Sequence, residues 1–484
     1  MKKKVALVVN AGTYCDGTLA EGVLEALHRP FDVVYLTDAD VPPRNRKWVK
    51  KVHTYRTPSF VLLDPELGVA DPSQSPVRWA LANPVRARQV YDWVQMLGST
   101  IAELEDAYRP ACVLVHFSLT ASLMWIERND ASAGRLASVP HFLLYLYPGV
   151  PNSTIPWLFD SRLKQRDFEL YNESKTREDV ERSWNATLSR FSMNSGLVTD
   201  DDDNVRRTTS ALRDLHHVLC WDSSITRPLK TLIPGMTASY VGSFTVPLAR
   251  RPFPAAEDKA LPSGVRSFLK AARAGDGGDR KLAFISFGSF GHRKRLRKTA
   301  TILAEDLLRR GFAVIFHDTA SPEDRVKAVV VPASEDANFY VHSGFVAYDV
   351  IIPHAALVCF TGSMCLQLIC LQNAVPMVFV PLLTEQFFWA KNYEHFTGVP
   401  YVDSKSVSCV GKTVRAVVSQ GKQKRIAEYL RRVKKSLHAT KARDNLRSLV
   451  TGVVDQKERQ VKDSALVAAV GGGGRKKSWK TEAV

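Results

Sequence analysis

The sequence lacks paired cysteines, long apolar segments and a signal peptide. Its seven cysteines are an odd number without a CxxC pair, which predicts reduced, buried thiols rather than a disulfide framework. No apolar run approaches the roughly 20 residues that cross a bilayer. The apolar run behind the N-terminal lysines ends at Asn10, which is too short for a signal peptide. These absences favour a cytoplasmic protein, with membrane association as an open alternative.

A glycine-rich GxGxxG fingerprint is also missing from the first strand-to-helix turn, which reads AGTYCDG. The 484 residues exceed what one hydrophobic core usually holds. Strand and helix patterns alternate twice along the chain, and a Pro- and Gly-rich passage separates the two series. We therefore predict an α/β protein with two Rossmann-like, doubly wound domains that face each other across a cleft. The predicted boundaries are 1–245 and 281–454 for the domains, 246–280 for the linker and 455–484 for a disordered basic tail.

Acidic residues are scarce near the C-terminal end. Residues 421–484 contain 17 Lys and Arg against 6 Asp and Glu, which accounts for +11 of the net charge of +17. A basic surface favours nucleic acid, anionic lipid or a phosphorylated ligand. No basic motif interleaved with aromatics is present, so we predict no specific nucleic-acid partner. The amphipathic helix expected at Lys424–Leu437 either packs on the second domain or makes a peripheral membrane contact.

Carboxylates at two places in the sequence are candidates for a functional site. The run Asp200–Asp203 is typical of a solvated connector, and we predict no metal site there or elsewhere. Asp16 follows the first predicted strand, where open α/β sheets place ligand contacts. Alternatively, Asp16 caps the helix that follows.

The most informative stretch is Phe360–Trp389. It predicts a short strand, a Gly-Ser turn, an apolar helix and a second buried strand, which opens on a loop that carries Glu385 and Gln386. A turn into a helix exposes backbone N–H groups that bind phosphate. We expect a diphosphate at this turn and a polar contact from the Glu-Gln pair.

Several segments resemble the UDP-glycosyltransferases of GT-B fold, in particular their sterol and antibiotic glucosyltransferase branch. GTYCDG is similar to the branch's GTRGDV, and LAFISFGSF is similar to the strand that opens its donor domain. FVAYDVIIPHAALVCFTGS resembles a passage that ends in His-His-Gly-Gly. NAVPMVFVPLLTEQFFWAKN carries the most specific match, because Pro376, Pro381, Gln386 and Trp389 stand at matching spacings.

The resemblance implies an inverting, metal-independent transferase that needs no cofactor beyond a UDP-sugar as co-substrate. Asp16 would take the proton from the acceptor hydroxyl as it attacks the anomeric carbon. The nucleotide phosphates would contact the glycine-serine turns, the uracil would lie at the Phe345 backbone, and the sugar hydroxyls would bind the Glu-Gln pair. The donor-site residues implied in this way are Gly288, Ser289, Phe345, Val346, Thr361, Gly362, Ser363, Glu385 and Gln386.

The sequence departs from the family pattern at two donor positions. Thr361 stands where the family carries a histidine that supports the leaving diphosphate, and Ile369 stands where an acid holds the ribose. The first hypothesis is an enzyme that moves a hexose, glucose in the first instance, to a small lipophilic alcohol such as a sterol. The second is a degenerate GT-B protein that binds a nucleotide sugar or a partner without turnover. Such divergence is also typical of a virus-encoded protein.

Overall fold

The computed structural model describes sixteen stretches of the chain, and all structural statements below concern them. They are residues 3–10, 14–38, 43, 45–56, 84–116, 139–145, 215–226, 237–244, 261–274, 280–288, 294–318, 337–344, 346–382, 384–403, 407–439 and 441–471.

The first half of the chain forms a parallel sheet of seven described strands. Their order in the sheet is β3-β2-β1-β4-β5-β6-β7, so the first strand lies inside and the chain winds outward on both sides. Buried apolar residues occupy both faces, as parallel sheets covered by helices require. The strands are β1 (Lys4–Val9), β2 (Phe31–Asp38), β3 (Lys51–Tyr55), β4 (Cys112–His116), β5 (His141–Tyr145), β6 (His216–Leu219) and β7 (Thr237–Tyr240).

Two described helices belong to this half, α1 (Tyr14–Leu27) and α2 (Pro84–Tyr108). Helix α1 buries Ala20, Val23 and Leu27, which lie three and four residues apart on one face. Glycine is required at Gly22, because a Cβ there would lie 2.5 Å from the Cβ of Phe244. Close contact with the loop after β7 therefore fixes the position of α1 on the sheet.

The second half forms a parallel sheet of five described strands in the order β10-β9-β8-β11-β12. The strands are β8 (Leu282–Ser286), β9 (Ala313–Asp318), β10 (Phe339–Ser343), β11 (Ala355–Phe360) and β12 (Met377–Phe379). The helices are α3 (Ser263–Ala274), α4 (Lys294–Arg309), α5 (Tyr348–Ile351), α6 (Met364–Asn373) and α7 (Thr384–Thr397). Two parallel sheets flanked by helices confirm the predicted α/β class.

One local prediction in this half requires correction. The sequence pattern predicts a strand at Phe345–Ala347, but the strand in the structure is β10, which ends at Ser343. Gly344 follows with φ of +119°, a left-handed conformation that stops the strand. The sequence also predicts a short helix inside the linker 246–280. Helix α3 lies there, and its Phe268 stacks on Tyr340 of β10 with ring centroids 5.6 Å apart. The predicted strand at 328–331 lies outside the described residues, and the domain boundaries stay a prediction.

Three helices complete the described chain, α8 (Val410–Val418), α9 (Gln420–Ala439) and α10 (Ala442–Gly471). The apolar stripe of α9 is buried against α6 and α7, so this face packs on the protein and only the basic face is exposed. The expected disordered tail is wrong for residues 455–471, which continue α10. Helix-forming Gln, Lys, Glu, Arg and Ala dominate that segment. Residues 472–484 lie outside the described part.

Helices α9 and α10 return to the first sheet and connect the two halves. Ser436 of α9 donates a hydrogen bond to the carboxylate of Asp222, at 3.0 Å. In α10, Asn445 donates to the carbonyl oxygen of Val241, at 3.1 Å, and Asp455 lies 3.1 Å from the Lys4 ammonium in β1. Helices α9 and α10, which we call the C-terminal strap, therefore hold both sheets together.

Candidate functional site

Those of the implied donor residues that the structure describes lie along the carboxyl edge of the second sheet. Strands β8 and β11 are parallel neighbours, with Ser286 beside Phe360 at their ends. Gly288 follows β8 and the Thr361 turn follows β11, so both turns leave the sheet at the same edge. The chain winds outward in opposite directions from β8 and β11. Such a switch point is where open α/β sheets bind ligands.

The turn after β11 brings a helix N-terminus to this edge. Gly362 has φ of +107°, which favours glycine, and a Cβ there would lie 3.1 Å from the Cβ of Gln386. Ser363 is the N-cap of α6 and uses no side-chain cap. Its carbonyl oxygen accepts the first helical hydrogen bond from the Gln367 amide, at 3.0 Å. The amides of the first turn therefore lack a partner within the helix and are suited to bind phosphate oxygens.

The Glu-Gln pair lies in the first turn of α7 and not in the predicted loop. Gln386 is buried, and its Oε1 accepts a hydrogen bond from the Leu382 amide at 2.9 Å. This bond closes the passage from β12 into α7 and presses the Gln386 backbone against Gly362. The residue thus shapes the turn, whereas the sugar contact expected of it stays a prediction. The side chain of Glu385 lies outside the described part.

The remaining implied donor residues are described in part. Thr361 and Val346 are both buried, and Gly288 has φ of +56° with open space where a Cβ would stand. Ser289 and Phe345 lie outside the described residues. Gln367 is fully buried on α6, and its Oε1 has no hydrogen-bond partner among the described residues.

A buried histidine network, absent from the sequence predictions, lies at the same edge. His317 ends β9, and its Nδ1 lies 3.1 Å from the Ser286 hydroxyl. The Tyr348 hydroxyl lies 3.0 Å from that of Ser286. On the other side of the ring, Nε2 of His317 lies 2.7 Å from the carbonyl oxygen of Gly344. The network therefore joins the ends of β8 and β9 to the turn that leads into Phe345.

The hydrogen-bond partners of His317 fix which of its two ring nitrogens carries the proton. A carbonyl only accepts, so Nε2 carries the proton and donates to Gly344. Burial lowers the pKa of His317, and the nearby His342 lowers it further, whereas the Gly344 carbonyl and Asp318 act in the opposite direction. The ring is then neutral at pH 7, and Nδ1 accepts a hydrogen bond from the Ser286 hydroxyl.

A buried ion pair extends this edge. The Arg297 guanidinium on α4 lies 3.1 Å from the Asp318 carboxylate, next to His317 in sequence. Both side chains are buried. The ends of β8 and β9 are therefore held by polar contacts on both sides of the histidine.

The implied catalytic residue lies at the carboxyl edge of the first sheet. Asp16 is in the first turn of α1, directly after β1, and its side chain lies outside the described part. Helix α1 lies against α6. The helix that carries Asp16 is therefore a neighbour of the helix that begins at the donor turn.

Asn10 is a second polar residue at the end of β1. It is 2% exposed, and neither Nδ2 nor Oδ1 has a hydrogen-bond partner in the described structure. Its backbone carbonyl accepts from the Tyr55 hydroxyl at 2.7 Å, which fixes its position. A buried side-chain amide without a partner costs free energy, and a ligand hydroxyl satisfies such a group.

Sequence reasoning missed Asn10, Ser286, His317 and Tyr348. A signal was present for three of them, because Asn10, Ser286 and the His317-Asp318 pair are the polar residues that end otherwise apolar strands. The expected rule that strand ends carry ligand contacts applies to them as it does to Asp16. Tyr348 carries no such signal.

The described residues contain neither a metal-binding cluster nor a membrane-spanning helix. No group of three or more His, Cys, Asp and Glu side chains there is arranged to hold a metal ion, and Asp200–Asp203 lies outside them. None of the described helices combines the length and apolar character needed to cross a membrane.

Comparison with known proteins identifies the architecture. No protein-family model and no curated protein sequence matches the chain. Among solved structures, a Glycyrrhiza uralensis enzyme, UGT73P12, complexed with glycyrrhetinic acid 3-O-monoglucuronide, matches with a TM-score of 0.61 at 13% identity, covering 98% of this chain and 100% of that one. Phytolacca americana UGT2, complexed with UDP-2fluoro-glucose and pterostilbene, matches with a TM-score of 0.57 at 11% identity, covering 94% and 100%. The kitacinnamycin glycotransferase matches with a TM-score of 0.56 at 15% identity, covering 95% and 100%. The chain has the GT-B fold of the UDP-glycosyltransferases.

Proposed function

We propose that the protein is a glycosyltransferase that moves a hexose from a UDP-sugar to a hydroxyl of a small lipophilic acceptor. The observation that carries the proposal is the turn at Thr361-Gly362-Ser363. It places the N-terminus of α6 at the switch point of the second sheet, pressed against Gln386. The solved structures of the same fold include one complexed with UDP-2fluoro-glucose and one with glycyrrhetinic acid 3-O-monoglucuronide. Those complexes support a nucleotide sugar and a small acceptor as the ligand classes here.

In this proposal the diphosphate binds at the first turn of α6, where the backbone amides and the helix dipole offset its charge. The His317 network holds the Gly344 carbonyl and with it the turn into Phe345, where the uracil binds. Glu385 and Gln386 contact the sugar hydroxyls, while Gly288 and Ser289 face the phosphates. Glucose is the sugar that we propose.

Asp16 acts as the general base. Its carboxylate accepts the proton of the acceptor hydroxyl while the oxygen forms a bond to the anomeric carbon. The bond from that carbon to the diphosphate oxygen breaks, UDP leaves with the electron pair, and the configuration inverts. The Asn10 amide lies at the end of β1, the strand that precedes Asp16, and offers a hydrogen bond to the acceptor. A sterol or a similar alcohol is the acceptor class that we propose.

A release assay tests this function. Purified protein is incubated with UDP-glucose and other UDP-sugars, with a panel of lipophilic alcohols, and UDP is measured. Removing a general base typically lowers the rate 10²- to 10⁴-fold, so we expect Asp16→Asn to lose most of the turnover and to keep UDP binding. Turnover that is unchanged in Asp16→Asn would contradict the role of Asp16.

The donor turn has its own variant pair. Gly362→Ala adds a Cβ 3.1 Å from Gln386, whereas Gly311→Ala meets open space and shares a positive φ, +79°. We expect Gly362→Ala to weaken UDP binding at least tenfold, measured by calorimetry, and Gly311→Ala to leave it unchanged. If both variants bind UDP like the wild type, the diphosphate is not at this turn.

The second candidate function is binding of a nucleotide sugar without turnover. It is favoured by Thr361, which offers one neutral hydroxyl where the resembling family has an imidazole, since losing a donor aimed at developing charge costs about 10²- to 10³-fold in rate. UDP binding that depends on Gly362, combined with no UDP release for any acceptor, would establish this function. Absence of both would exclude the two together.

A further inference from the structure

A basic cleft lies on the opposite side of the first sheet from the candidate site. It is formed by the end of α1, the 3-10 turn at Arg46–Trp48 and the start of α10, and its volume is about 570 Å³. Helix α1 ends just before β2 begins, and the turn directly precedes β3. The cleft therefore lies at the amino edge of the sheet, whereas Asp16 and Asn10 lie at the carboxyl edge.

The charges of the cleft are unbalanced. Five cationic side chains line it against two carboxylates, which leaves a net charge of +3 with its histidine neutral. The two carboxylates are already engaged, since Glu25 lies 2.6 Å from the Arg443 guanidinium and Asp444 lies 2.8 Å from that of Arg447. The other three cations, Arg29, Lys47 and Lys441, are exposed and form no ion pair or hydrogen bond with a described side chain. Like charges gathered in one concavity favour an anion.

The two arginines are held in place for recognition. Arg443 uses its Nε for Glu25, and Arg447 uses its Nε to donate to the carbonyl oxygen of Ala26 at 3.0 Å. A guanidinium has five N–H donors in a planar fork, so Arg447 keeps donors for a ligand after its contacts with Ala26 and Asp444. Planar forks fixed by the protein match the geometry of phosphate oxygens.

The start of α10 also favours an anion in the cleft. The first hydrogen bond of this 30-residue helix runs from the Asn445 amide to the Lys441 carbonyl oxygen, at 2.8 Å. The amides of Ala442, Arg443 and Asp444 precede this bond and have no partner within the helix, and the three residues line the cleft. The positive end of the helix dipole therefore adds to the side-chain charge. Trp48 closes one wall with an apolar ring that is partly buried in the core.

From this arrangement we propose that the cleft binds a phosphorylated ligand that carries two or more phosphate groups. A net charge of +3 exceeds what one phosphate balances, and the volume lies within the 300–1,000 Å³ typical of small-molecule sites. The ligand is either free in solution or the headgroup of a phosphoinositide. It contacts α1, the 3-10 turn and α10 together, so it holds the C-terminal strap onto the first sheet. The site is independent of the proposed transferase function.

The test uses a charge-reversal variant with a matched control. Arg29→Glu, Lys47→Glu and Lys441→Glu are combined in one variant that removes the three uncommitted cations. The control combines Lys270→Glu, Lys298→Glu and Lys424→Glu, which are also exposed but lie outside the cleft. Both variants change the net charge by the same amount, and all six side chains are exposed, so folding is retained.

Binding of inorganic tripolyphosphate is measured by calorimetry, and sedimentation is measured with phosphatidylcholine vesicles that contain phosphatidylinositol 4,5-bisphosphate. Vesicles with phosphatidylserine at equal charge serve as the comparison. We expect the cleft variant to lose at least tenfold in affinity and the control variant to change less than twofold. Tripolyphosphate binding without sedimentation identifies a free ligand, whereas sedimentation only with the phosphoinositide vesicles identifies a lipid headgroup.

Two results would overturn the proposal. One is equal weakening in both triple variants, which would mean that net charge alone attracts the anion. The other is absence of wild-type binding both to tripolyphosphate and to phosphoinositide vesicles. Retained UDP binding in the cleft variant would show that the amino-edge cleft and the donor turn are separate sites.

Discussion

The carboxyl edges of the two sheets treat their polar groups in opposite ways. In the second sheet, Ser286, His317 and Tyr348 satisfy one another in a closed network that also includes the Gly344 carbonyl. In the first sheet, Asn10 is just as deeply buried, yet its amide has no partner in the described structure. A closed network holds an edge in one geometry before any ligand arrives, whereas an unsatisfied amide leaves binding capacity for one. The second sheet is thus preorganised at this edge, whereas the first keeps an unsatisfied buried amide.

The largest expected effect breaks the closed network. His317→Ala removes one hydrogen-bond partner from the Ser286 hydroxyl, from the Tyr348 hydroxyl and from the Gly344 carbonyl and opens a cavity, so we expect a loss of about 3 kcal/mol in the free energy of unfolding. Urea denaturation measures it. His438→Ala removes an exposed histidine and is expected to change the free energy by less than about 0.5 kcal/mol. Equal stability of the two variants would show that the network contributes nothing.

The next variant tests the unsatisfied edge. Asn10→Leu replaces a buried amide without a partner by an apolar group of similar size, so we expect a gain of about 1 kcal/mol in the free energy of unfolding. The control is Asn373→Leu, because the Asn373 amide donates to the Ile369 carbonyl oxygen at 2.8 Å and its removal is expected to destabilise. A destabilised Asn10→Leu protein would show that the amide is satisfied and would remove the contrast between the edges.

The pH dependence sharpens the same contrast. Burial lowers the pKa of His317 below its ordinary value of 6.5, so the unfolded chain binds a proton more readily than the folded one. The stabilising contribution is present above pH 6.5 and is lost as the pH falls from there towards the folded pKa, with a slope of at most about 1.4 kcal/mol per pH unit. Unfolding curves at pH 5 to 8 for wild type and His317→Gln isolate this contribution. Parallel curves across that range would exclude it.

The smallest expected effect concerns the exposed ion pairs between Lys4 and helix α10. The Lys4 ammonium lies 3.1 Å from Asp455 and 2.8 Å from Glu458, and its side chain is 39% exposed. Solvent screens such pairs, so Lys4→Met is expected to cost about 0.5 kcal/mol or less in urea denaturation, and less still in high salt. A cost above about 2 kcal/mol would mean that this contact dominates the attachment of α10, with Lys3→Met as the control.

Much of the fold could be predicted from the sequence, because the strands of parallel sheets are apolar on both faces. For this reason the sequence pattern predicts β1, β8 and β9 to within about one residue of their observed ends. The strand β10 was misplaced, because Phe339–Ser343 lies at the edge of the sheet and buries only Phe339 and His342, whereas the Val-rich segment behind Gly344 imitates a buried strand. The far half of α10 was missed, because its exposed Val461 and Leu466 have no apolar partner on a single face.

The candidate site could be predicted only where one residue type carries the signal. Gly362 was found because a positive φ and close packing demand glycine at the turn, and its contact with Gln386 joins two motifs quoted from the sequence. The His317 network was not found, because its members come from β8, β9 and α5, and only the fold brings them together. Long-range hydrogen bonds of this kind leave no spacing pattern in a sequence.

The return of α10 to the first sheet has a consequence for biosynthesis. Arg443 pairs with Glu25 across 418 positions of sequence, and Lys4 pairs with Asp455 across 451. The first half of the chain therefore leaves the ribosome long before α10 is made, and the surface of α1 that α10 contacts stays uncovered until then. Contacts of such sequence separation form slowly, and exposed apolar surface invites aggregation meanwhile. A chain cut before residue 442 is expected to translate normally and to accumulate in the insoluble fraction.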